Sequence, residues 1–263
     1  SRLRRIIAVW AAKQGFACRI TGKQGVTLAG QIALKIDPDI LKELSGQVKE
    51  KIFVTCGTNG KTTTNNLLCS AIEAEGKKVV CNHTGSNMLN GVAAAFAQNA
   101  SLSGNLKADM LIEVDEASTV RIFPHFKPDY MVLTNLFRDQ LDRYGEIDIT
   151  MNLLKKAMEM APEMEVIVNG DDSLSTYLAM ESGNPYVTFG IGEQYFKDQK
   201  DSGEIREGTF CKKCGSRMEY HFYHYSQLEI ITAPTAASNG RSLPTMPLKF
   251  TPDNLSFEVN GTA

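Results

Sequence analysis

The sequence lacks an excess of charge of either sign. Its 28 Lys and Arg residues are nearly balanced by 30 Asp and Glu residues, which gives a formal net charge of −2. Proteins that bind nucleic acid usually carry a basic excess. The balance gives no support to that class, and we predict no nucleic-acid partner.

Long apolar runs are also missing. No stretch approaches the ~18 consecutive apolar residues that a transmembrane helix needs. The N-terminus has neither the apolar run nor the cleavage site of a secretory signal peptide. We therefore predict a cytoplasmic protein without a transmembrane segment.

Cysteine is scarce, with six residues in the chain. Four of them, Cys18, Cys56, Cys69 and Cys81, are scattered through segments that have the composition of a core. Without a secretory signal, these four are predicted to be reduced thiols, as is usual for cytosolic proteins.

The first 13 residues are basic and amphipathic. Leu3, Ile6, Ile7 and Trp10 recur at helical spacing, behind three arginines within the first five residues. Such a helix either packs on the body of the protein or contacts an anionic membrane surface. A turn-rich stretch is predicted to follow, marked by Gly15, Gly22, Gly25 and Gly30.

From residue 51 the sequence alternates between short apolar runs and helical patterns. This alternation predicts an α/β fold with a mainly parallel sheet flanked by helices, and the phosphate-loop motif described below makes it a fold of the P-loop type. Strands are predicted at 51–56, 77–81, 108–114, 128–135, 164–169 and 185–190, and helices at 61–75, 90–99, 148–160 and 171–180. The alternation stops after residue 190, and one further strand is predicted near 255–261.

The segment VTCGTNGKTTT at 54–64 has the features of a phosphate-binding loop. It follows a predicted strand and opens a predicted helix, although Thr55 stands where the generic pattern begins with Gly. Lys61 is expected to reach the β- and γ-phosphates, and the Thr62 hydroxyl to bind Mg²⁺. The residues predicted to bind the nucleotide here are Gly57, Thr58, Asn59, Gly60, Lys61, Thr62 and Thr63.

Acidic residues follow the predicted strand 108–114. Glu113, Asp115 and Glu116 lie at its carboxyl end, where open α/β sheets bind ligands. A solvated strand end is the alternative for Glu113. Asn169 and Asp171 follow a later strand and either face the nucleotide or cap the next helix.

Six motifs together resemble the Mur ligase family, and within it the MurT branch, over roughly residues 15–227. They are GTNGKTTT at 57–64, NHTGSNMLNG at 82–91, IEVDEAS at 112–118, LTNLFRDQLDRYGE at 133–146, VNGDD at 168–172 and CKKCG at 211–215.

The resemblance implies a ligase subunit in peptidoglycan synthesis. It would use ATP to phosphorylate the D-glutamate α-carboxylate of the lipid II stem peptide, at the inner membrane face. Ammonia from a glutamine amidotransferase subunit, GatD, would then give D-isoglutamine within a heterodimer. An amino-acid-adding ligase of the Mur or folylpolyglutamate type and a non-catalytic ATP-binding regulator are the alternatives.

The resemblance also implies roles for individual residues. Lys61, Glu113 and Glu116 would be catalytic, with Glu113 and Thr62 as Mg²⁺ ligands, and Asn169 would contact the nucleotide. Gln140 replaces a family His that helps to hold a second Mg²⁺, which puts that second ion in doubt. Arg138 and Asp139 precede it in the same motif.

Cys211 and Cys214 form one half of a zinc site. Two thiolates at this spacing can bind one Zn²⁺, and the MurT branch resembles a four-cysteine arrangement. Either the second half lies outside this chain, or the site is lost; we predict Zn²⁺. His221 and His224 are close in sequence but are predicted to be surface residues.

Four segments are predicted, without the C-terminal ligase domain of the family. They are an N-terminal helix and turn-rich segment at 1–45, the central ATP-binding domain at 46–204, an incomplete zinc-ribbon-like insertion at 205–228 and a return to the central domain at 229–263.

Overall fold

The computed structural model describes most of the chain between residues 1 and 190. The described ranges are 1–17, 22–82, 87–106, 108–137 and 146–190, followed by residue 215 and the segments 219–224, 228–232, 245–251 and 254–257. Cys18, Arg138, Asp139, Gln140, Cys211 and Cys214 lie outside these ranges.

An eight-stranded sheet forms the centre of the molecule, in the order β10-β9-β6-β5-β4-β1-β3-β2. All its pairings are parallel except that of β10 with β9. The strands are β1 Ile52–Cys56, β2 Val79–Cys81, β3 Asp109–Glu113, β4 Tyr130–Leu133, β5 Glu165–Asn169, β6 Tyr186–Gly190, β9 Thr245–Thr251 and β10 Asn254–Phe257. The predicted α/β class with a mainly parallel sheet is confirmed.

The described part of the chain contains eight α-helices. They are α1 Arg2–Ala17, α2 Gly22–Ile36, α3 Ile40–Ser45, α4 Lys61–Ala74, α5 Leu89–Asn99, α6 Thr119–Ile122, α7 Glu146–Met160 and α8 Ser173–Ser182, with a 3-10 helix at Glu116–Ser118. Neighbouring residues of β1 point to opposite faces of the sheet: Phe53 packs against a small cluster that includes Cys69 of α4, whereas Val54 belongs to the main core. Both faces of the central strand are therefore covered.

The turn-rich segment predicted after residue 13 is wrong. Helix α1 continues to Ala17, and α2 runs through Gly22, Gly25 and Gly30. Gly30 is required by packing, because a Cβ at this position would lie 1.7 Å from the Asn90 carbonyl oxygen of α5. The glycine lets two helices approach closely. From the sequence alone, a glycine required for helix packing cannot be distinguished from a glycine in a turn.

The prediction of reduced thiols is wrong for two cysteines. Cys69 of α4 and Cys81 of β2 are joined by a disulfide, because α4 packs against the edge strand and brings their Cα atoms to 6.8 Å. Cys56 is a free, buried thiol. Its pKa is raised well above the usual value, mainly by burial and then by the Glu116 carboxylate.

A separate two-stranded antiparallel sheet begins within the segment 205–228 that is predicted as the insertion. It consists of β7 Glu219–His224 and β8 Leu228–Thr232. Residues His221 and His224 lie on β7. The zinc-ribbon prediction depends on cysteines outside the described residues, and the predicted domain limits stay predictions. Among the described helices, none is long and apolar enough to cross a membrane.

Candidate active site

The loop between β1 and α4 has two glycines in left-handed conformations, for different reasons. Gly57 has φ 129°, and a Cβ here would lie 2.1 Å from the Thr134 hydroxyl oxygen. Gly60 has φ 79°, and its Cβ would meet no atom within 4 Å. Glycine is therefore required at position 57 because two strand ends approach closely. At position 60 it is favoured only by the left-handed backbone conformation.

Residues after β4 hold this loop in place. The Asn59 amide donates to the Asn135 side-chain oxygen at 2.9 Å, and the Asn135 side-chain amide donates to the Asn59 carbonyl at 3.1 Å. Thr134 donates its hydroxyl to the same carbonyl at 2.8 Å, and the Thr58 amide donates to the Asn135 carbonyl at 2.9 Å. The loop conformation is thus fixed before any ligand binds.

The start of α4 is open to an anion. Gly60 is its N-cap residue and has no side chain to accept hydrogen bonds from the first-turn amides. Uncapped amides and the helix dipole favour negative charge at this point. Thr62 and Thr63 of the first turn are exposed. The sequence prediction of a phosphate-binding loop therefore agrees with an exposed, uncapped helix start.

Lys61 is paired with Glu116. Its ammonium lies 3.0 Å from one carboxylate oxygen of Glu116, and the Gly57 amide donates to the same oxygen at 2.7 Å. The ammonium also donates to the carbonyls of Gly57 and Thr58. The side chains of Lys61 and Glu116 are only 15% and 12% exposed. One carboxylate oxygen thus binds the same two donors that a phosphate oxygen would need.

Glu113 lies beside Thr62 at the carboxyl end of β3. One of its carboxylate oxygens accepts the Thr62 hydroxyl at 2.7 Å, and the other accepts the Asn87 side-chain amide at 3.3 Å. The Asn82 side chain bonds to both the amide and the carbonyl of Glu113, each at 2.8 Å. The predicted alternative of a solvated strand end is wrong, because Glu113 is only 3% exposed.

This pair of oxygen ligands fits a divalent cation. Within the described part of the chain Glu113 forms no ion pair, and a buried carboxylate without a cation is costly. A hydroxyl and a carboxylate are also the hard oxygen donors that Mg²⁺ prefers. Asp115 is used otherwise, since its side chain accepts the Ser118 amide at 3.1 Å.

The Mur ligase middle domain matches residues 54–230 of this chain, two-thirds of its length. The chain belongs to the Mur ligase family. Members of this family use ATP and Mg²⁺, the two groups that the loop and the Glu113–Thr62 pair suit.

Two curated relatives carry the name lipid II isoglutaminyl synthase (glutamine-hydrolyzing) subunit MurT. The Staphylococcus aureus protein is 35% identical over 81% of this chain and 47% of its own length. The Streptococcus pneumoniae protein is 35% identical over 78% of this chain and 44% of its own. This Mur ligase chain therefore spans about half the length of the curated relatives it matches.

A solved structure supports the fold. The pseudomurein peptide ligase type C from Methanothermus fervidus superposes with a TM-score of 0.62 at 19% sequence identity. The superposition covers 84% of this chain and 43% of that one. At this identity, the likeness establishes a common Mur ligase architecture.

The segment after β5 shapes a turn into α8. The Asn169 side-chain oxygen accepts the Asp171 amide at 3.0 Å, and its carbonyl accepts the Thr176 hydroxyl at 3.2 Å. The helix cap is Asp172, rather than Asn169 or Asp171. Burial raises the Asp172 pKa although its carboxylate accepts several hydrogen bonds, one from the Leu136 amide at 2.8 Å. Nucleotide contact by Asn169 stays a prediction.

Sequence reasoning missed the residues that position the site. Asn82 and Asn87 hold Glu113, and Thr134 holds the loop. All three lie within motifs on which the family resemblance is based, so membership of these motifs could have marked them as candidate site residues. Their roles depend on contacts between strand ends far apart in sequence, which no local pattern reveals.

Proposed function

We propose that this chain is the ATP-binding part of a ligase subunit that amidates the D-glutamate α-carboxylate of the lipid II stem peptide. The ammonia would come from a glutamine amidotransferase subunit, GatD, in a heterodimer. The observation that carries the proposal is the arrangement of Lys61, Thr62 and Glu113 around an uncapped helix start. The names of its curated relatives support the choice of substrate.

The chemistry proceeds in two steps. A carboxylate is a poor electrophile, so a carboxylate oxygen first attacks the γ-phosphorus of ATP, and the bond to the β–γ bridging oxygen breaks. Ammonia then attacks the acyl carbon of the acyl phosphate, the C–O bond to phosphate breaks, and a proton leaves the nitrogen. The products are the amide, ADP and inorganic phosphate.

The residues of this chain contribute mainly to the first step. Lys61 would neutralise charge on the β- and γ-phosphates, and the first-turn amides of α4 would orient them. Thr62 and Glu113 would hold Mg²⁺, which when bound neutralises charge on the transferred phosphoryl group. The contacts of Asn59 with Thr134 and Asn135 hold the loop backbone in place, whereas the Lys61 ammonium and the Gly57 amide must exchange or share the Glu116 carboxylate when ATP binds.

Two further elements of the proposal concern zinc and location. Cys211 and Cys214 would supply two thiolates to a Zn²⁺ ion, and elemental analysis of full-length protein should find about one zinc per chain. Complete absence of zinc would contradict that part. Because lipid II is membrane-bound, the subunit would act from the cytoplasm at the inner membrane face.

Reconstitution tests the proposed reaction. Full-length protein, GatD, ATP, Mg²⁺, lipid II and glutamine with a labelled amide nitrogen should give lipid II with that label in its stem peptide. Glu113→Gln should lower the rate at least about a hundredfold, since loss of one metal-binding charge removes roughly 3 kcal/mol of transition-state stabilisation.

The products also distinguish the alternatives. Incorporation of an intact amino acid instead of labelled nitrogen would indicate an amino-acid-adding ligase. Nucleotide binding without any lipid II product would indicate an ATP-dependent regulator. Either result would overturn the proposed amidation.

A further inference from the structure

Positive charge is concentrated at the start of the chain. Residues 1–36 contain seven Lys and Arg residues and no Asp or Glu. The remaining residues therefore carry 28 − 7 = 21 basic and 30 acidic side chains, a difference of −9. A nearly neutral protein thus has a strongly basic N-terminal stretch, which favours an anionic partner.

Helix α1 places apolar side chains on its outer face. Leu3, Ile7 and Trp10 are 67%, 48% and 46% exposed, whereas Ala8 and Val9 are buried. The spacing of three and four residues puts the exposed group on one side of the helix. Large apolar side chains that line up on an exposed face mark an interaction surface.

A second element extends this face. The Trp10 indole N–H donates to the Leu102 carbonyl at 3.0 Å, which brings the loop after α5 against α1. Leu102 is itself 54% exposed. We call Leu3, Ile7, Trp10 and Leu102 the apolar face. Its members Trp10 and Leu102 are 92 residues apart in sequence. The apolar face therefore depends on the tertiary fold as well as on helix α1.

The charges around the apolar face are basic. Arg2 and Arg4 flank Leu3 and are exposed. Arg5 is held by Glu43 at 2.9 Å, and Lys13 donates to the Gln98 carbonyl, so these two are already engaged. The adjacent described segment 87–106 has no charged residue at all. Glu43 is the acidic residue that contacts α1 in the described ion pairs, and Arg5 compensates its charge.

We propose that the apolar face, together with Arg2 and Arg4, docks the protein on an anionic lipid bilayer. Trp, Leu and Ile insert at the headgroup level while arginines pair with lipid phosphates, which is the composition of interfacial helices. A protein partner would more often meet a mixture of both charge signs. The idea that docking brings the protein to a lipid-borne substrate rests on the proposed function. The docking of this surface on a bilayer does not.

The chain contains a built-in reporter of such docking. Trp10 is its single tryptophan, so intrinsic tryptophan fluorescence reports on the apolar face alone. The probe is large unilamellar vesicles of phosphatidylcholine, with or without about a third phosphatidylglycerol. They contain no lipid II and no ATP, so failure to bind would leave the ligase proposal untouched.

We expect the Trp10 emission to shift to shorter wavelength on the anionic vesicles, with lower accessibility to acrylamide. Leu3→Ser with Ile7→Ser should weaken partitioning at least about tenfold while keeping the reporter. Leu67→Ser with Ile149→Ser is the matched control, because both side chains are exposed elsewhere at 67% and 62%. Arg2→Glu with Arg4→Glu should weaken vesicle binding about tenfold. Lys127→Glu with Lys156→Glu is the charge-matched control and should leave vesicle binding nearly unchanged.

Three results would overturn the proposal. The first is Trp10 emission of the wild-type chain that stays unchanged on anionic vesicles at low salt. This test does not depend on the folding of any variant. The second is an equal loss of binding in the matched controls. The third is a dimer in analytical ultracentrifugation that Leu3→Ser with Ile7→Ser dissociates while vesicle binding stays the same, which would make the face a protein interface.

Discussion

Glu116 binds the two donors that a terminal phosphate would need. Its carboxylate accepts the Gly57 amide and pairs with the Lys61 ammonium in a partly buried setting. Binding of ATP must therefore displace this carboxylate or share the donors with it. The geometry favours a placeholder role for Glu116, and its predicted catalytic role stays a prediction.

Glu116→Gln tests this role. The substitution removes the negative charge that competes with phosphate, so we expect the affinity for a non-hydrolysable ATP analogue to rise about fivefold, or roughly 1 kcal/mol. Isothermal titration calorimetry without Mg²⁺ isolates the effect from metal binding. A fall in affinity comparable to that of Lys61→Ala would contradict the placeholder role and favour direct participation in nucleotide binding.

The two glycines of the loop should differ in their response to alanine. Gly57→Ala forces a Cβ against the Thr134 hydroxyl at a positive φ, so we expect at least a hundredfold loss of nucleotide affinity. Gly60→Ala meets open space and bears only the cost of a left-handed backbone, about 1 kcal/mol, which corresponds to a loss of about fivefold. Equal losses would show that the Thr134 contact does not restrict the loop.

At the scale of elements, the strands could be predicted and some helices could not. Parallel strands buried on both faces read as apolar runs, and all six strands predicted between residues 51 and 190 are present. Helix α2 was missed because Gly30 serves a close contact with α5 that only the tertiary structure reveals. The short helix α3 was not predicted, since its six residues carry little periodic signal.

The disulfide connects the helix of the phosphate loop to the edge of the sheet. Cys69 and Cys81 are 12 residues apart in sequence, and closing a loop of this length stabilises a protein by about 3 kcal/mol in the chain-entropy description. We expect dithiothreitol to lower the free energy of unfolding by about that amount. Denaturant titrations with and without reductant measure it.

The control for this experiment is Cys69→Ser with Cys81→Ser. Reductant should leave the stability of this variant unchanged. An equal effect of reductant on the variant would locate the sensitive bond elsewhere. An absence of effect on the wild-type chain would contradict the disulfide and restore the prediction of reduced thiols.

At the scale of the whole molecule, nucleotide binding and folding are linked. A ligand that binds only the native state at a concentration of 100 times its dissociation constant stabilises a protein by about 2.7 kcal/mol. We therefore expect ATP with Mg²⁺ to raise the midpoint of thermal unfolding of this chain. Lys61→Ala should lose this increase, measured by circular dichroism relative to the variant's own ligand-free midpoint; an unchanged increase would contradict the site.

The candidate site was only partly predictable. The glycines, Lys61 and Thr62 form one continuous motif, so their predicted role rests on strand–loop–helix order alone. Thr134 and Asn135 lie 75 and 76 residues from the loop residue they hold. Their contact exists because β4 lies directly beside β1 in the sheet, and strand order of this kind is a property of the whole chain.

The same separation has a consequence for biosynthesis. A nascent chain carries the complete sequence GTNGKTTT well before Asn135, which secures Asn59 from 76 residues away, has been translated. At translation rates of 5 to 20 residues per second, the interval is about 4 to 15 s. During that time the emerging polypeptide has the sequence of a phosphate loop without the neighbouring strand that shapes it. Cellular ATP therefore cannot assist the earliest folding on the ribosome and can capture the domain only after β4 has emerged.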